Sequence, residues 1–186
     1  MEEKMLNKIF CELKESDNFV LMLICSLSCF IYTLFFCLGI SLLLDEIYLP
    51  QVYFVGFWKS FLVKGLRNFF FVAVVSAGEE VIWRILPLTF IVWLKNKIQK
   101  EDLGNLILLS IVFISSYCFG LSHAVPFNVL IQGVFGLAWS FLFLKTGGYN
   151  QHYFKASLYM IFSHLFYNAL VLSNGYLFVK FSAGYN

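Results

Sequence analysis

The sequence predicts an all-α protein, a polytopic transmembrane helical bundle of five to seven membrane segments. Composition is the first reason. Of 186 residues 60% are hydrophobic and 20% aromatic, with 23 Phe, and only 13% are charged. A soluble domain carries about 25% charged residues, so this chain could not cover a compact globule without exposing large apolar patches. Segregation of charge is the second reason. Residues 19–44 and 103–144 contain no Asp, Glu, Lys or Arg, and at about 1.5 Å per residue about 20 apolar residues cross a hydrocarbon core of about 30 Å. The third is that the few polar residues inside apolar runs recur as pairs four apart, the spacing of one helix face. The same composition excludes a disordered chain, and a net charge of +2 supplies no basic stripe for nucleic acid.

The elements follow in order. Residues 1–17 read as a polar N-terminal tail bearing Lys4, Lys8 and Lys14. Residues 18–67 hold a first transmembrane helix, Phe19 to Leu44, and a second membrane or interfacial segment. The first helix is too long for a cleaved signal peptide and lacks a small-residue cleavage site. Residues 48–67 combine Pro50, Tyr53 and Trp58 with Lys59, Lys64 and Arg67, the aromatic and basic mixture of a membrane interface. Sequence leaves open whether this stretch crosses or lies flat.

Residues 68–172 form the core. Asn68 to Leu94 is apolar except for Glu79, Glu80 and Arg84, and a polar patch from Lys95 to Asp102 closes it. The run 103–144 is interrupted by a turn at Ser122-His-Ala-Val-Pro126 and ends at Lys145-Thr-Gly-Gly148, because paired glycines break helices. A last run, Ala156 to Val179, carries His164 and Asn168; residues 173–186 are the C-terminal helix end and tail. Five cysteines, an odd number without a CxxC pair, read as small packing residues. Lys4, Lys8 and Lys14 place the N-terminus in the cytoplasm by the positive-inside rule. If 48–67 does not cross, Lys95, Lys97, Lys100, Lys145 and Lys155 fall on the same side. The Phe-, Tyr-, Asn- and Lys-rich composition points to a multi-pass protein of a bacterial plasma membrane.

The buried polar residues suggest chemistry. A charge at mid-membrane costs a few kcal/mol on insertion scales, so it faces the bundle interior or a wet cavity. Glu80 and Arg84 are one turn apart and can pair. Glu79 points about 100° away, with no local basic partner, and an unpartnered carboxyl in an apolar bundle suits a general base. Pro87 removes a backbone donor, so a helix continuing through it leaves the carbonyl of Trp83 without its partner and kinks. Phe119 and His123 repeat the four-residue spacing at a helix end, and His164 and Asn168 repeat it again. Imidazole serves as a proton shuttle and a side-chain amide as an oxyanion donor.

Taken in order, Glu79-Glu80-x-x-x-Arg84, Phe119-x-x-x-His123 and His164-x-x-x-Asn168 resemble the signature of the CAAX protease and bacteriocin-processing (CPBP, or Abi) intramembrane peptidases over roughly residues 68–172. Trp83 is a departure, standing where the family usually has a smaller apolar residue or Phe. The resemblance implies a membrane bundle whose motifs converge on a cavity within the bilayer. It also implies hydrolysis of a peptide or membrane-protein substrate, as in CAAX-type or bacteriocin and peptide maturation and self-immunity. Carried over, Glu79 activates water with help from His123, His164 and Asn168 hold the oxyanion, and Glu80, Arg84 and Phe119 support them. No cofactor is expected, since there is no His-Glu-x-x-His motif; zinc on Glu79, His123 and His164 stays chemically open. The partners implied are membrane lipids and the substrate. The alternative is a non-catalytic membrane immunity factor or transporter-associated subunit, its polar residues acting as interhelical glue. That reading gives Glu79 no task. A channel is disfavoured because no helix carries a repeating polar face.

Overall fold

The computed structural model describes residues 15–44, 66–98, 100–123 and 129–183. Among these every regular element is helical: α1 (Glu15–Leu44), α2 (Leu66–Glu80), a π turn (Val81–Ile85), α3 (Leu86–Lys95), α4 (Glu101–Leu121), a second π turn (Val129–Gly133), α5 (Val134–Lys145), a 3₁₀ turn (Gly148–Asn150) and α6 (Tyr153–Ala183). Two stretches, Asp17–Cys37 and Glu101–Leu121, are long and apolar enough to cross a membrane by length and composition. The expected total of five to seven membrane segments is not established. The tail 1–14 and the interfacial stretch 48–65, with Pro50, Tyr53, Trp58, Lys59 and Lys64, lie outside the described residues, as does Pro126 of the expected turn.

Side-chain contacts set the helix directions. Ser26 meets Ser163 at 2.8 Å and Thr33 meets Tyr167 at 3.0 Å, so α1 and α6 run parallel. Ser76 pairs with Asn168 and Glu80 with His164, so α2 is antiparallel to α6. The α2–π–α3 rod is antiparallel to α4, where Ser115 bonds Trp83, and rings of Phe135 and Trp139 on α5 meet Tyr167 and His164 on α6 in antiparallel order. Leu44 and Leu66 therefore lie at the same end of the bundle.

The outward faces of the first and last helices are apolar, while polar side chains share the buried faces with an apolar core. Val20, Ile24, Leu27, Ile31 and Phe35 form an exposed stripe on α1, and Phe154, Leu158, Phe162 and Phe166 form one on α6. The buried face of α1 carries Asn18, Ser26 and Thr33 among Met22, Cys29 and Cys37, and that of α6 carries Ser163 and His164 among Ala156, Met160 and Tyr167. Apolar stripes turned outward and polar groups satisfied inward are what a hydrocarbon solvent demands. The described cysteines fit the packing role: Cys29 and Cys37 are buried, Cys25 and Cys118 half-buried, and none is in a disulfide.

Small residues bring α4 against the second π turn and α5. A Cβ on Gly120 would lie 2.7 Å from the Val129 Cα, and one on Gly136 would lie 2.9 Å from the Ser116 Cα. Backbones this close are a membrane substitute for hydrophobic burial. Downstream, the break expected at Lys145-Thr-Gly-Gly148 is present: α5 stops at Lys145, the Thr146 hydroxyl donates to the Leu142 carbonyl at 2.8 Å, and Gly147 takes φ 129°.

The Pro87 break takes a different form from a simple kink. The helix passes through it as the π turn Val81–Ile85, with the Leu86 N–H donating to the Val81 carbonyl five residues back. The Trp83 carbonyl, deprived of its helical partner by Pro87, accepts the Ser115 hydroxyl from α4. Such π turns cluster at functional sites.

Gly136→Val forces a side chain into the Ser116 backbone, so the α4–α5 contact must open at a cost of about 1–3 kcal/mol. Gly39, with nothing within 4 Å of its Cβ position, tolerates Ala with no loss. Thermal melting of detergent-solubilised protein should separate the two, Gly136→Val losing several degrees and Gly39→Ala none.

Candidate active site

Four elements deliver the polar side chains to one place. The last turn of α2 carries Glu79 and Glu80, the π turn carries Arg84, the end of α4 and the turn just past it carry Phe119 and His123, and the middle of α6 carries His164 and Asn168. The Glu79 carboxylate sits between the two imidazoles, with Oε1 3.9 Å from His123 Nε2 and Oε2 3.9 Å from His164 Nε2. Both distances are too long for a direct hydrogen bond and are of the kind an intervening water closes.

Each imidazole is anchored through its other nitrogen. His123 Nδ1–H, in the turn just past α4, donates to the Phe119 carbonyl in the last turn of that helix at 2.8 Å. His164 Nδ1–H donates to Glu80 Oε1 at 2.7 Å. The acceptors assign the tautomers: in both rings Nδ1 carries the proton and Nε2 is turned to Glu79. The two rings differ in what holds them, a neutral carbonyl for His123 and a carboxylate for His164.

Glu80 and Arg84 are fully buried and paired, Nη1 to Oε1 at 2.6 Å. They do more than lock one helix, because the same Glu80 oxygen receives His164. The guanidinium is enclosed by aromatic faces, its Cζ 4.0 Å from the Phe119 ring centroid and 5.1 Å from that of Trp139. Cation–π attraction of this sort strengthens when desolvated. Glu80 Oε2 and Arg84 Nε and Nη2 have no hydrogen-bond partner among the described residues. Phe119 therefore touches both halves of the site: its ring covers Arg84, its edge meets the His123 ring at 4.6 Å, and its carbonyl anchors that ring.

Asn168 takes a separate place. Its Nδ2 donates to Ser76 Oγ at 2.8 Å, one turn before Glu80 on the same face of α2. Ser76 is one residue the sequence reading missed, although its spacing from Glu79 and Glu80 is the available signal. Trp139 is another. Its ring stacks on His164 at 4.1 Å and 24°, and a Trp in an apolar helix carries no sequence mark that separates it from ordinary packing. Ser115 is the third, and only the proline across the helix contact hints at it. Among the described residues no group of three or more His, Cys, Asp or Glu side chains is placed to hold a metal ion.

A family model described as Type II CAAX prenyl endopeptidase Rce1-like matches residues 58–170, a span that takes in every side chain of this site. No curated protein and no solved structure matches the chain.

Removing Arg84 leaves Glu80 buried against His164 alone. Arg84→Ala should destabilise the fold by about 3–5 kcal/mol, read as lower yield and a lower melting temperature. Glu80→Gln combined with Arg84→Met should recover much of that loss, because no uncompensated charge remains.

Proposed function

The chain belongs to the type II CAAX prenyl endopeptidase Rce1-like family, a family of membrane-embedded proteases, and from that membership we propose that it is an intramembrane endopeptidase using a Glu79-activated water. The observation that carries the reading is the Glu79 carboxylate facing one imidazole Nε2 with each oxygen. A water held between Glu79 and His123 loses its proton to Glu79 as its oxygen attacks the scissile carbonyl carbon. The His123 ring, anchored on a neutral carbonyl, presents an Nε2 lone pair that orients this water. The carbonyl oxygen becomes an oxyanion, and the proton on Glu79 passes to the departing amine as the carbon–nitrogen bond breaks.

His164 and Asn168 fit the oxyanion side. To donate from Nε2, His164 must be an imidazolium, and that form has the Glu80 carboxylate at its Nδ1 and the Trp139 face against its ring. The Asn168 amide has two N–H groups, of which one reaches Ser76 and the second suits the oxyanion. Preorganised donors of this type act most strongly where water is excluded. Substrates on this reading are peptides or membrane proteins of the CAAX type, or bacteriocin-like peptides in maturation and self-immunity, cleaved in the plasma membrane of a bacterium.

The test uses purified protein in nanodiscs with a prenylated CAAX-type peptide and its unprenylated counterpart. Glu79→Gln should keep the melting temperature and lower kcat by about 10²–10⁴, because an amide accepts no proton. His164→Ala and Asn168→Ala should each lose about 10²–10³ in kcat with little change in KM. If Glu79→Gln cleaves at the native rate, the polar cluster is interhelical glue and the protein acts by binding.

Activity should also survive exhaustive chelation. Loss with chelator and recovery with zinc would recast Glu79, His123 and His164 as metal ligands.

A further inference from the structure

We propose that Trp139 is a positioning residue for His164, on the oxyanion role given to that histidine above. Its indole face fixes the plane of the imidazole, so that Nδ1 stays on Glu80 while Nε2 stays turned to Glu79.

One hydrogen bond does not orient a ring. The bond from His164 Nδ1 to Glu80 Oε1 at 2.7 Å fixes one atom and leaves the imidazole free to swing about it. Nε2 is the atom that such a swing displaces. It lies 3.9 Å from Glu79 Oε2, and in a reacting site a misplacement of about 1 Å can cost about 10²-fold in rate. A flat surface against the ring removes the swing. Trp139 supplies one, with ring centroids 4.1 Å apart and planes inclined by 24°. A π face holds a neutral imidazole by stacking and an imidazolium by cation–π attraction, so the orientation survives a change of charge. His123 is held in a comparable way, by a hydrogen bond to the Phe119 carbonyl and by the Phe119 ring at 4.6 Å.

The indole is itself held in place. Trp139 is fully buried, with the rings of Phe135 and Tyr167 at 5.7 and 5.8 Å and that of Phe119 at 6.4 Å. The Tyr167 hydroxyl is tied in turn to Thr33 on α1. Three residues before Trp139, Gly136 seats α5 against the Ser116 backbone, which sets how far the indole reaches toward α6. Phe143, one turn further along α5, is equally buried, but its ring lies against Gly148 beyond the end of that helix. It is therefore the control for packing alone.

The experiment compares Trp139→Leu, Trp139→Phe and Phe143→Leu with the native chain in nanodiscs, using the prenylated CAAX-type peptide. Trp139→Leu should lower kcat by about 10–10²-fold with KM unchanged, and Trp139→Phe, which restores a flat face, should recover most of that loss. Phe143→Leu should lower the melting temperature and leave kcat at the native value. NMR of the ring nitrogens in protein carrying isotope-labelled histidine reads the same device without turnover, and the chain has only three His to resolve. His164 should give one set of signals in the native chain and in Trp139→Phe, and a split or exchange-broadened set in Trp139→Leu, with His123 unchanged throughout. Native kcat in Trp139→Leu, or a single unchanged His164 set there, overturns the proposal. So does a loss of kcat shared by Phe143→Leu, or broadening shared by His123, since Trp139 would then only fill the core. Should Trp139→Leu fail to fold, the native spectrum decides: one His164 state in Overhauser contact with the indole supports the proposal, and two ring states overturn it. A native chain that cleaves nothing but keeps the NMR pattern refutes the peptidase reading and leaves the positioning of His164 by Trp139 standing.

Discussion

The structure turns on one constraint: a carboxylate and a guanidinium have been taken wholly out of solvent, and neither can stand there alone. Glu80 and Arg84 meet at 2.6 Å with no exposure. The attraction between them must offset desolvation of several kcal/mol per ion, so the surroundings cannot be arbitrary. Phe119 and Trp139 close over the guanidinium, which ties α4 and α5 to the π turn. His164 donates to the same carboxylate, which ties α6 to α2. An ion pair that looks like a lock within one helix is thus the point through which the helices of the candidate site are held in register.

The chemistry inherits its asymmetry from that anchor. Two imidazoles face one carboxylate at equal distance, yet one is held by a peptide carbonyl and the other by a buried carboxylate. A ring held by a neutral acceptor is suited to receiving a hydrogen bond from water. A ring held by an anion and stacked on Trp139 is the one proposed above for the oxyanion side. Sequence motifs record two histidines; what each leans on separates their surroundings, and the proposed roles follow that difference.

The scaffold meets the demands of hydrocarbon with few devices. Polar groups turn inward and find partners, as Ser26 with Ser163 and Thr33 with Tyr167. Glycines at 120 and 136 let α4 approach the second π turn and α5 to backbone distance. The carbonyl that Pro87 leaves without its helical partner receives a hydroxyl from a neighbouring helix, since no water is at hand in the bilayer core to do so. That repair allows a proline and a π turn to stand immediately beside the candidate active site.

Much of this was legible in sequence because it depends on local properties. Charge-free runs mark the helices, and the described bounds of α1, α4 and α6 follow them closely. Lys145-Thr-Gly-Gly148 ends α5 where paired glycines predict. The i, i+4 spacing brings Glu80 to Arg84, and the order of three motifs names Glu79, His123, His164 and Asn168 before any contact is seen. What spacing cannot carry is rotation about the helix axis combined with the choice of neighbour. The bond from His164 to Glu80, the stacking of Trp139, the pairing of Asn168 with Ser76 and the use of Ser115 at Trp83 each join residues 25 or more positions apart in sequence. They arise only when helices settle against one another, because a helix fixes the angle between its own side chains and leaves the partner of each to packing.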